Sequence, residues 1–206
     1  PWCCNPESQR DRPEIFVNTE KCLHCGRCVE ACEVGAISLI SADGCRIDRN
    51  RCTGCGRCAD VCWSGALTKK GCSMIAREVS DVVARDVEFY RKSSGGVTLT
   101  GGEPLAQPEF AIEVLRAMRR LNISTAVETS GCVQREVFTH IAPLVDYFLF
   151  DVKHIDPQRH NRVIGVGNKE ILRNLEALVL MKCNVVVRVP VIPGFNGNIE
   201  CLEAIG

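Results

Sequence analysis

The sequence predicts an α/β protein: a partial (β/α) barrel over residues 71–206, preceded by a small cysteine-rich insert over residues 15–70 and a linker over residues 1–14. Three observations carry this expectation. Most of the 15 cysteines fall in two copies of one spacing before residue 63. Beyond residue 72 short apolar segments alternate with amphipathic ones, as strands and helices do in a parallel α/β fold. Four successive apolar segments each end in a polar or glycine-rich group, and the C-terminal strand edge is where α/β barrels build their sites.

The bulk composition narrows the function classes. Lys plus Arg and Asp plus Glu number 25 each, for a net charge of zero. Without a basic patch or a long like-charged run, neither nucleic acid nor a membrane surface is the expected partner. No apolar run reaches the ~18 residues of a membrane-spanning helix, and no signal-peptide pattern is present. A chain of this length buries roughly 70% of its extended surface, so disulfide staples are not needed to hold it. Its cysteines therefore point to metal ligation in a reducing cytoplasm rather than to a secreted disulfide scaffold.

Residues 1–14 are polar, rich in proline and without periodicity, as expected of a loop or linker. An internal repeat follows. Cys22-Leu23-His24-Cys25-Gly26-Arg27-Cys28-Val29-Glu30-Ala31-Cys32 matches Cys52-Thr53-Gly54-Cys55-Gly56-Arg57-Cys58-Ala59-Asp60-Val61-Cys62 almost position for position. Each run is C-x2-C-x2-C-x3-C, and each leads into a Gly-Ala-aliphatic turn at Gly35-Ala36-Ile37 and Gly65-Ala66-Leu67. Three thiolates spaced this way wrap one corner of a cubane, and the fourth cysteine of each run serves the other cluster. The spacing thus assigns Cys22, Cys25, Cys28 and Cys62 to one [4Fe-4S] cluster, and Cys52, Cys55, Cys58 and Cys32 to a second. Zinc is the rival ligand, but its sites use paired knuckles, not triplets with a crossing fourth cysteine. Gly26 and Gly56 supply the backbone freedom for the curl. Glu33 and Trp63 stand where such runs often carry proline. Cys4, Cys45, Cys72, Cys132, Cys183 and Cys201 lie outside the spacing and read mostly as small buried hydrophobes. His24 reads as a solvated loop residue.

From residue 75 the apolar positions Ile75, Val79, Val82, Val83, Val87 and Tyr90 predict one amphipathic helix, ended by Ser93-Ser94-Gly95-Gly96. Val97 to Thr100 is a short strand leading into Gly101-Gly102-Glu103-Pro104. Pro108 opens a helix with Ala111, Val114, Leu115, Met118 and Leu121 inward. A strand from Ile123 to Val127 ends in Glu128-Thr129-Ser130-Gly131, and a short helix spans Val133 to Ile141. The apolar strand Tyr147 to Phe150 ends in Asp151-Val152-Lys153. Asn168 is expected to cap a helix with Ile171, Leu172, Leu175, Leu178 and Val179 inward. A last strand, Asn184 to Val191, ends in Ile192-Pro193-Gly194-Phe195-Asn196. His154 and His160 read as solvated or capping residues.

At the strand ends the residues themselves give a partial answer. Backbone carbonyls and a carboxylate at Gly101, Gly102 and Glu103 are all acceptors, which suits an ammonium group. Asp151 and Lys153, two apart, point to the same side. Arg188, between Val187 and Val189, either joins that site or satisfies a barrel-interior acceptor.

In this order, the twin cysteine runs, Gly101-Gly102-Glu103-Pro104, Glu128-Thr129-Ser130-Gly131, Asp151-Val152-Lys153 and Ile192-Pro193-Gly194 resemble the radical S-adenosylmethionine (SAM) activating enzymes of glycyl-radical enzymes. The resemblance is to the subgroup with a bacterial-ferredoxin-like two-cluster insert, as in activases of dehydratases, lyases and decarboxylases. The opening Pro1-Trp2-Cys3-Cys4-Asn5-Pro6-Glu7-Ser8 is similar to the C-x-W-C-x-N-P-E-S variant of the family's reactive-cluster motif. It implies that Cys3 is the last of three cysteines holding a third cluster with one iron open, that two cysteines precede Pro1, and that the 206 residues alone are inactive. The resemblance further implies that Trp2 packs near adenine, Gly101, Gly102 and Glu103 hold the amino group of SAM, and Lys153 meets its carboxylate. Glu128, Thr129 and Asp151 would frame a monovalent cation, with Arg188 beside the cofactor. The activity implied is reductive cleavage of SAM to methionine and a 5'-deoxyadenosyl radical, which takes hydrogen from a backbone glycine of a partner enzyme. Reduced ferredoxin or flavodoxin would supply the electron through the insert.

Two other readings compete. A radical SAM enzyme acting on a small molecule would leave no glycyl radical on a partner. A ferredoxin-type electron carrier would hold only about eight irons per full-length chain and leave SAM intact on reduction.

Overall fold

The computed structural model describes residues 12–40 and 44–206. The expectations for Trp2 and Cys3 lie outside the described residues. The chain divides into two compact units between Ser73 and Met74.

The first unit is built from two antiparallel strand pairs and two single-turn helices. Strand β1 (Glu14–Val17) is followed by helix α1 (Arg27–Glu30), strands β2 (Ile37–Ile40) and β3 (Gly44–Ile47), helix α2 (Arg57–Asp60) and strand β4 (Leu67–Lys70). β1 pairs antiparallel with β4, setting Val17 opposite Leu67. β2 pairs antiparallel with β3, setting Leu39 opposite Cys45. Gly26 and Gly56 precede the two helices at φ of 79° and 99°, the left-handed region the curl requires. Ile15, Ile37, Ile47 and Leu67 form a small core together with the thiols of Cys28, Cys45 and Cys58. Two-stranded pairs are marginal by themselves, so both pairs rely on this shared core of aliphatic side chains and thiols.

The second unit opens with helices α3 (Ala76–Val83) and α4 (Val87–Ser93), separated by a 3₁₀ turn at Ala84–Asp86. The periodicity predicts one helix here. The tighter turn interrupts it, yet Val79, Val83, Val87 and Tyr90 still pack on one apolar cluster with Met118 and Ile123. Strand β5 (Gly96–Leu99), helix α5 (Pro108–Arg120), strand β6 (Ser124–Thr129), helix α6 (Arg135–Ile141) and strand β7 (Tyr147–Asp151) follow. Helix α7 (Pro157–Ile164), helix α8 (Lys169–Leu180), strand β8 (Val185–Arg188) and helix α9 (Ile199–Ile205) complete the unit. The four strands form one sheet in the order β5-β6-β7-β8, with every pair parallel. Strand order that follows chain order is a single winding, the arc of a barrel rather than a doubly wound sheet.

Local chemistry explains the departures from expectation. β8 stops at Arg188 instead of Val191 because Pro190 has no N–H for the ladder. α7 is an extra helix, opened by Pro157 and capped by the Asp156 carboxylate, which accepts from Gln158 N at 2.7 Å and Arg159 N at 3.0 Å. Asn168 stands at the N-cap position of α8 without capping it. Its amide donates to the carbonyls of His154 and Ile155, both at 2.7 Å. His154 and His160 are buried rather than solvated: His160 Nδ1 bonds Val166 O, and His154 Nδ1 accepts from Asp156 N. Cys45 and Cys201 are buried as expected, whereas Cys72 and Cys132 are exposed. Gly131 is obligatory where it stands, since at φ +72° a Cβ would fall 2.1 Å from the Phe150 ring.

Candidate functional site

The sheet of the second unit has two unlike faces. Along β6, Thr125, Val127 and Thr129 are buried while Ser124, Ala126 and Glu128 alternate with them at intermediate exposure. Val127, Phe148 and Phe150 pack against Leu115, Phe138 and Leu178 of the helices. The opposite face carries Glu128 beside Leu149, and Asp151 beside Arg188, by register. It is partly uncovered, with Tyr147 and Val186 each 50% exposed. A parallel strand normally hides both faces; this one leaves the face that a barrel would turn inward.

At the C-terminal end of that face four charged side chains meet. Arg188 donates from Nη2 to Glu128 Oε1 at 2.5 Å and from Nε to Asp151 Oδ1 at 3.0 Å. Lys153 Nζ donates to the other Asp151 oxygen at 3.3 Å. One residue from each of β6 and β8 and two from β7 and its exit thus form a network of two cations and two anions. The Arg188 hydrogen bond holds the Glu128 carboxyl below its usual range, against an opposing push from burial, with a further bond from Thr100. Glu128 in turn raises Arg188.

Glu103 sits beside this network in a different role. Its Oε1 accepts from the Thr129 hydroxyl at 2.8 Å and Leu105 N at 3.2 Å. Its Oε2 accepts from Ser130 N at 2.9 Å and the Ser130 hydroxyl at 2.7 Å. A carboxylate offers about four lone-pair sites, and four protein donors engage them here. Glu103 is a brace between the β5 and β6 exits, rather than the open acceptor expected from sequence. Gly101 and Gly102 lie exposed just before it, Gly101 at φ +132°.

Two asparagines complete the frame. Asn196 is fully buried; its amide donates to Lys153 O at 2.7 Å and Pro190 O at 2.9 Å and accepts from Ile192 N at 2.7 Å. Asn174, also fully buried, donates to Gly131 O and Val133 O, both at 2.9 Å. The sequence reading names neither as functional. An amide on the apolar stripe of α8, between Ile171 and Leu178, is the signal that marks Asn174.

In the first unit Cys22, Cys25, Cys28 and Cys62 line one pocket, together with Cys45, Leu23 and Leu39. Cys52, Cys55 and Cys32 lie within electrostatic range of Cys58, so Cys32 stands near the second run while Cys62 lines the pocket of the first. The described cysteines are all free thiols. Among the described residues no three His, Cys, Asp or Glu side chains gather about the position of a single metal ion; the thiols surround a pocket instead. Burial pushes the Cys45 thiol up to about 12 and Cys58 up to about 11. Burial also raises Cys62, but hydrogen bonds from Ser64, Leu67 and Ala66 outweigh it and leave that thiol lowered. Cys32 Sγ accepts from Ala36 N at 3.2 Å. Donors aimed at sulfur fit thiolate ligands of an iron–sulfur cluster. Where proline is often found, Glu33 pairs with Arg57, and Trp63 lies under the Arg27 guanidinium at 3.5 Å.

Comparison with known proteins places this geometry. A family model for the radical SAM superfamily matches residues 39–203, and one for a 4Fe-4S binding domain matches residues 15–38. The isethionate sulfite-lyase activating enzyme of Nitratidesulfovibrio vulgaris is 44% identical over 210 residues, 99% of this chain and 68% of that protein. The choline trimethylamine-lyase activating enzyme of Oleidesulfovibrio alaskensis is 43% identical over 99% of this chain and 66% of its own length. The 4-hydroxyphenylacetate decarboxylase activating enzyme of Clostridioides difficile is 39% identical, with 99% and 66% covered. Among solved structures, a domain of the pyruvate-formate lyase-activating enzyme from Bacteroides vulgatus superposes with a TM-score of 0.51 at 31% identity, covering 54% of this chain and 69% of that one.

Proposed function

Because the chain belongs to the radical SAM superfamily, and within it to the activating enzymes of glycyl-radical enzymes, we propose that the uncovered sheet edge of its second unit binds SAM. The observation that carries this reading is the network of Glu128, Asp151, Lys153 and Arg188, next to the Glu103 brace. Cys3 would be one ligand of an iron–sulfur cluster, and that cluster together with SAM would supply the reductive, radical chemistry that removes hydrogen from a glycine Cα of the partner enzyme.

The chain's own residues bind and orient. Lys153, held by Asp151 on one side and by Asn196 through its carbonyl, presents an ammonium to the methionine carboxylate. Backbone acceptors of Gly101 and Gly102 face the methionine ammonium, on a turn that Glu103 fixes. Arg188 holds the Glu128 carboxyl below its usual range and pairs with Asp151, so these two carboxylates are balanced by Arg188 and Lys153. A monovalent cation at Glu128, Thr129 and Asp151 would compete with Arg188 for the same oxygens.

Residues 15–70 form the electron-relay domain, with one [4Fe-4S] cluster on Cys22, Cys25, Cys28 and Cys62 and another on Cys52, Cys55, Cys58 and Cys32. Residues 71–206 form the SAM-binding partial barrel. The electron donor is a reduced ferredoxin or flavodoxin, and the setting is an anaerobic cytoplasm. Among the described residues no helix is long and apolar enough to cross a membrane.

The test uses the full-length protein, reconstituted anaerobically with iron and sulfide and reduced in the presence of SAM. Methionine and 5'-deoxyadenosine should form, and a glycyl-radical doublet should appear by electron paramagnetic resonance in one of a panel of partners: sulfite-lyases, a choline lyase and arylacetate decarboxylases. SAM left intact would refute the reading. SAM cleaved with no radical on any partner would favour a small-molecule substrate instead.

A further inference from the structure

Cys45 lies in β3, outside both cysteine runs, yet it lines the pocket formed by Cys22, Cys25, Cys28 and Cys62. It is 5% exposed. It packs in one buried cluster with Cys28 and shares the pocket with Cys22, Cys25 and Cys62. The residue before it explains how the strand comes so close. Gly44, at φ +81°, backs onto Cys22 so tightly that a Cβ there would lie 2.9 Å from Cys22 Cβ and 3.2 Å from its Sγ. Any side chain at 44 would push β3 off the pocket and carry the fifth thiol with it.

The internal repeat supplies a control. Cys45 precedes Cys52 by the same interval at which Ile15 precedes Cys22. Ile15 is also buried, at 1% exposure. At this matched position one half of the repeat carries a thiol and the other a hydrocarbon. Four thiolates already complete a cubane, so a fifth cysteine beside them is a neutral group with one S–H to donate. Hydrogen bonds to cluster sulfurs favour the reduced, more negative state and raise the reduction potential.

We propose that Cys45 is a positioning residue for the first insert cluster: its S–H donates to the Cys28 thiolate and raises the reduction potential of that cluster. This rests on the reading that Cys22, Cys25, Cys28 and Cys62 hold a [4Fe-4S] cluster. The test compares full-length wild type with Cys45→Ala, Cys45→Ser and Cys22→Ala, measuring iron and sulfide content and titrating each reconstituted protein under electron paramagnetic resonance. Cys22→Ala identifies the first cluster by the signal it loses. Cys45→Ala should keep its iron and lower the midpoint of that signal alone, while Cys45→Ser, retaining an O–H donor, should stay near wild type. An unchanged midpoint in Cys45→Ala overturns the proposal, as does loss of iron in both Cys45 variants, which would make the thiol a ligand or a packing element. Full retention of both insert signals in Cys22→Ala would instead overturn the ligand assignment beneath it.

Discussion

The carboxylate of Glu103 accepts the Thr129 hydroxyl at 2.8 Å, which ties the turn after β5 to the last residue of β6. Through its second oxygen the same group takes both donors of Ser130. The proposed amino-group site of SAM therefore has its shape set by a side chain whose own acceptors are already occupied.

Glu103→Gln should separate bracing from direct binding. Glutamine keeps one acceptor oxygen and points an NH₂ at the Ser130 donors, so at least two charge-assisted bonds are lost. The expected cost is about 1.5–3 kcal/mol of stability, with SAM affinity weakened about tenfold or more and iron content unchanged. Anaerobic thermal unfolding and equilibrium SAM binding measure the two effects. Wild-type stability with weakened SAM binding would mean the carboxylate is a ligand and not a brace.

Arg188 sets the pH dependence. With the Glu128 carboxyl depressed in the folded state, its contribution to stability is present above the unfolded value of about 4.3 and is lost as pH falls through the folded pKa. Wild type should therefore exceed Glu128→Gln in stability near neutrality, and the two should converge as pH drops below about 4. The side chains of Glu128 and Arg188 are 32% and 38% exposed, so solvent screening keeps the gap to about 1 kcal/mol or less. Urea unfolding at a series of pH values reads it directly. A gap that widens toward acid would reverse the sign and rule out Arg188 as the cause.

How far the sequence reveals this site depends on how local each interaction is. Asp151 ends β7 and Lys153 follows two residues later in extended sequence, so their shared side is legible from strand period. The cysteine runs announce their proposed ligand sets in their spacing. Arg188 meets Glu128 only because β6, β7 and β8 lie in chain order, which periodicity does not specify. Glu103 reads as a free acceptor because its donors at Thr129 and Ser130 come from the next strand exit. His154 and His160 read as solvated or capping because a polar loop sequence gives no sign of burial, although the groups that satisfy them, Asp156 N and Val166 O, lie close by in sequence. Helix α7 was legible at Asp156-Pro157, an N-cap followed by proline at the first helical position.

The crossing of the cysteine runs is open to a direct check. Cys32 stands with Cys52, Cys55 and Cys58 around one site, and Cys62 shares a pocket with Cys22, Cys25 and Cys28. Cys32→Ala and Cys62→Ala should each remove one insert cluster, about four irons. The Cys32 variant should lose the same spectroscopic signal as Cys55→Ala, and the Cys62 variant the same signal as Cys25→Ala. Matching within each run instead, Cys32 with Cys25, would refute the crossed arrangement.

Asn196 tests whether Lys153 is held or merely present. It is fully buried, and its amide satisfies Lys153 O, Pro190 O and Ile192 N at once. The turn after β8 is thereby fastened to the exit of β7, and the backbone beneath the Lys153 ammonium cannot drift. Asn196→Ala removes all three bonds, and each buried group left unsatisfied costs about 1–3 kcal/mol. Water entering the vacated space recovers part of this, so a loss of about 3 kcal/mol is expected. Asn196→Asp keeps the acceptor for Ile192 N but places charge against two carbonyls, and should be at least as damaging. In both variants SAM affinity should fall with the position of Lys153, whereas Lys153→Met should weaken SAM binding while leaving stability near wild type. Calorimetric unfolding and SAM titration on the three variants distinguish these outcomes. Asn196→Ala with unaltered SAM affinity would show that Lys153 keeps its place without the clamp, and the β7–β8 exit would then owe its geometry to Asp151 and Arg188 alone.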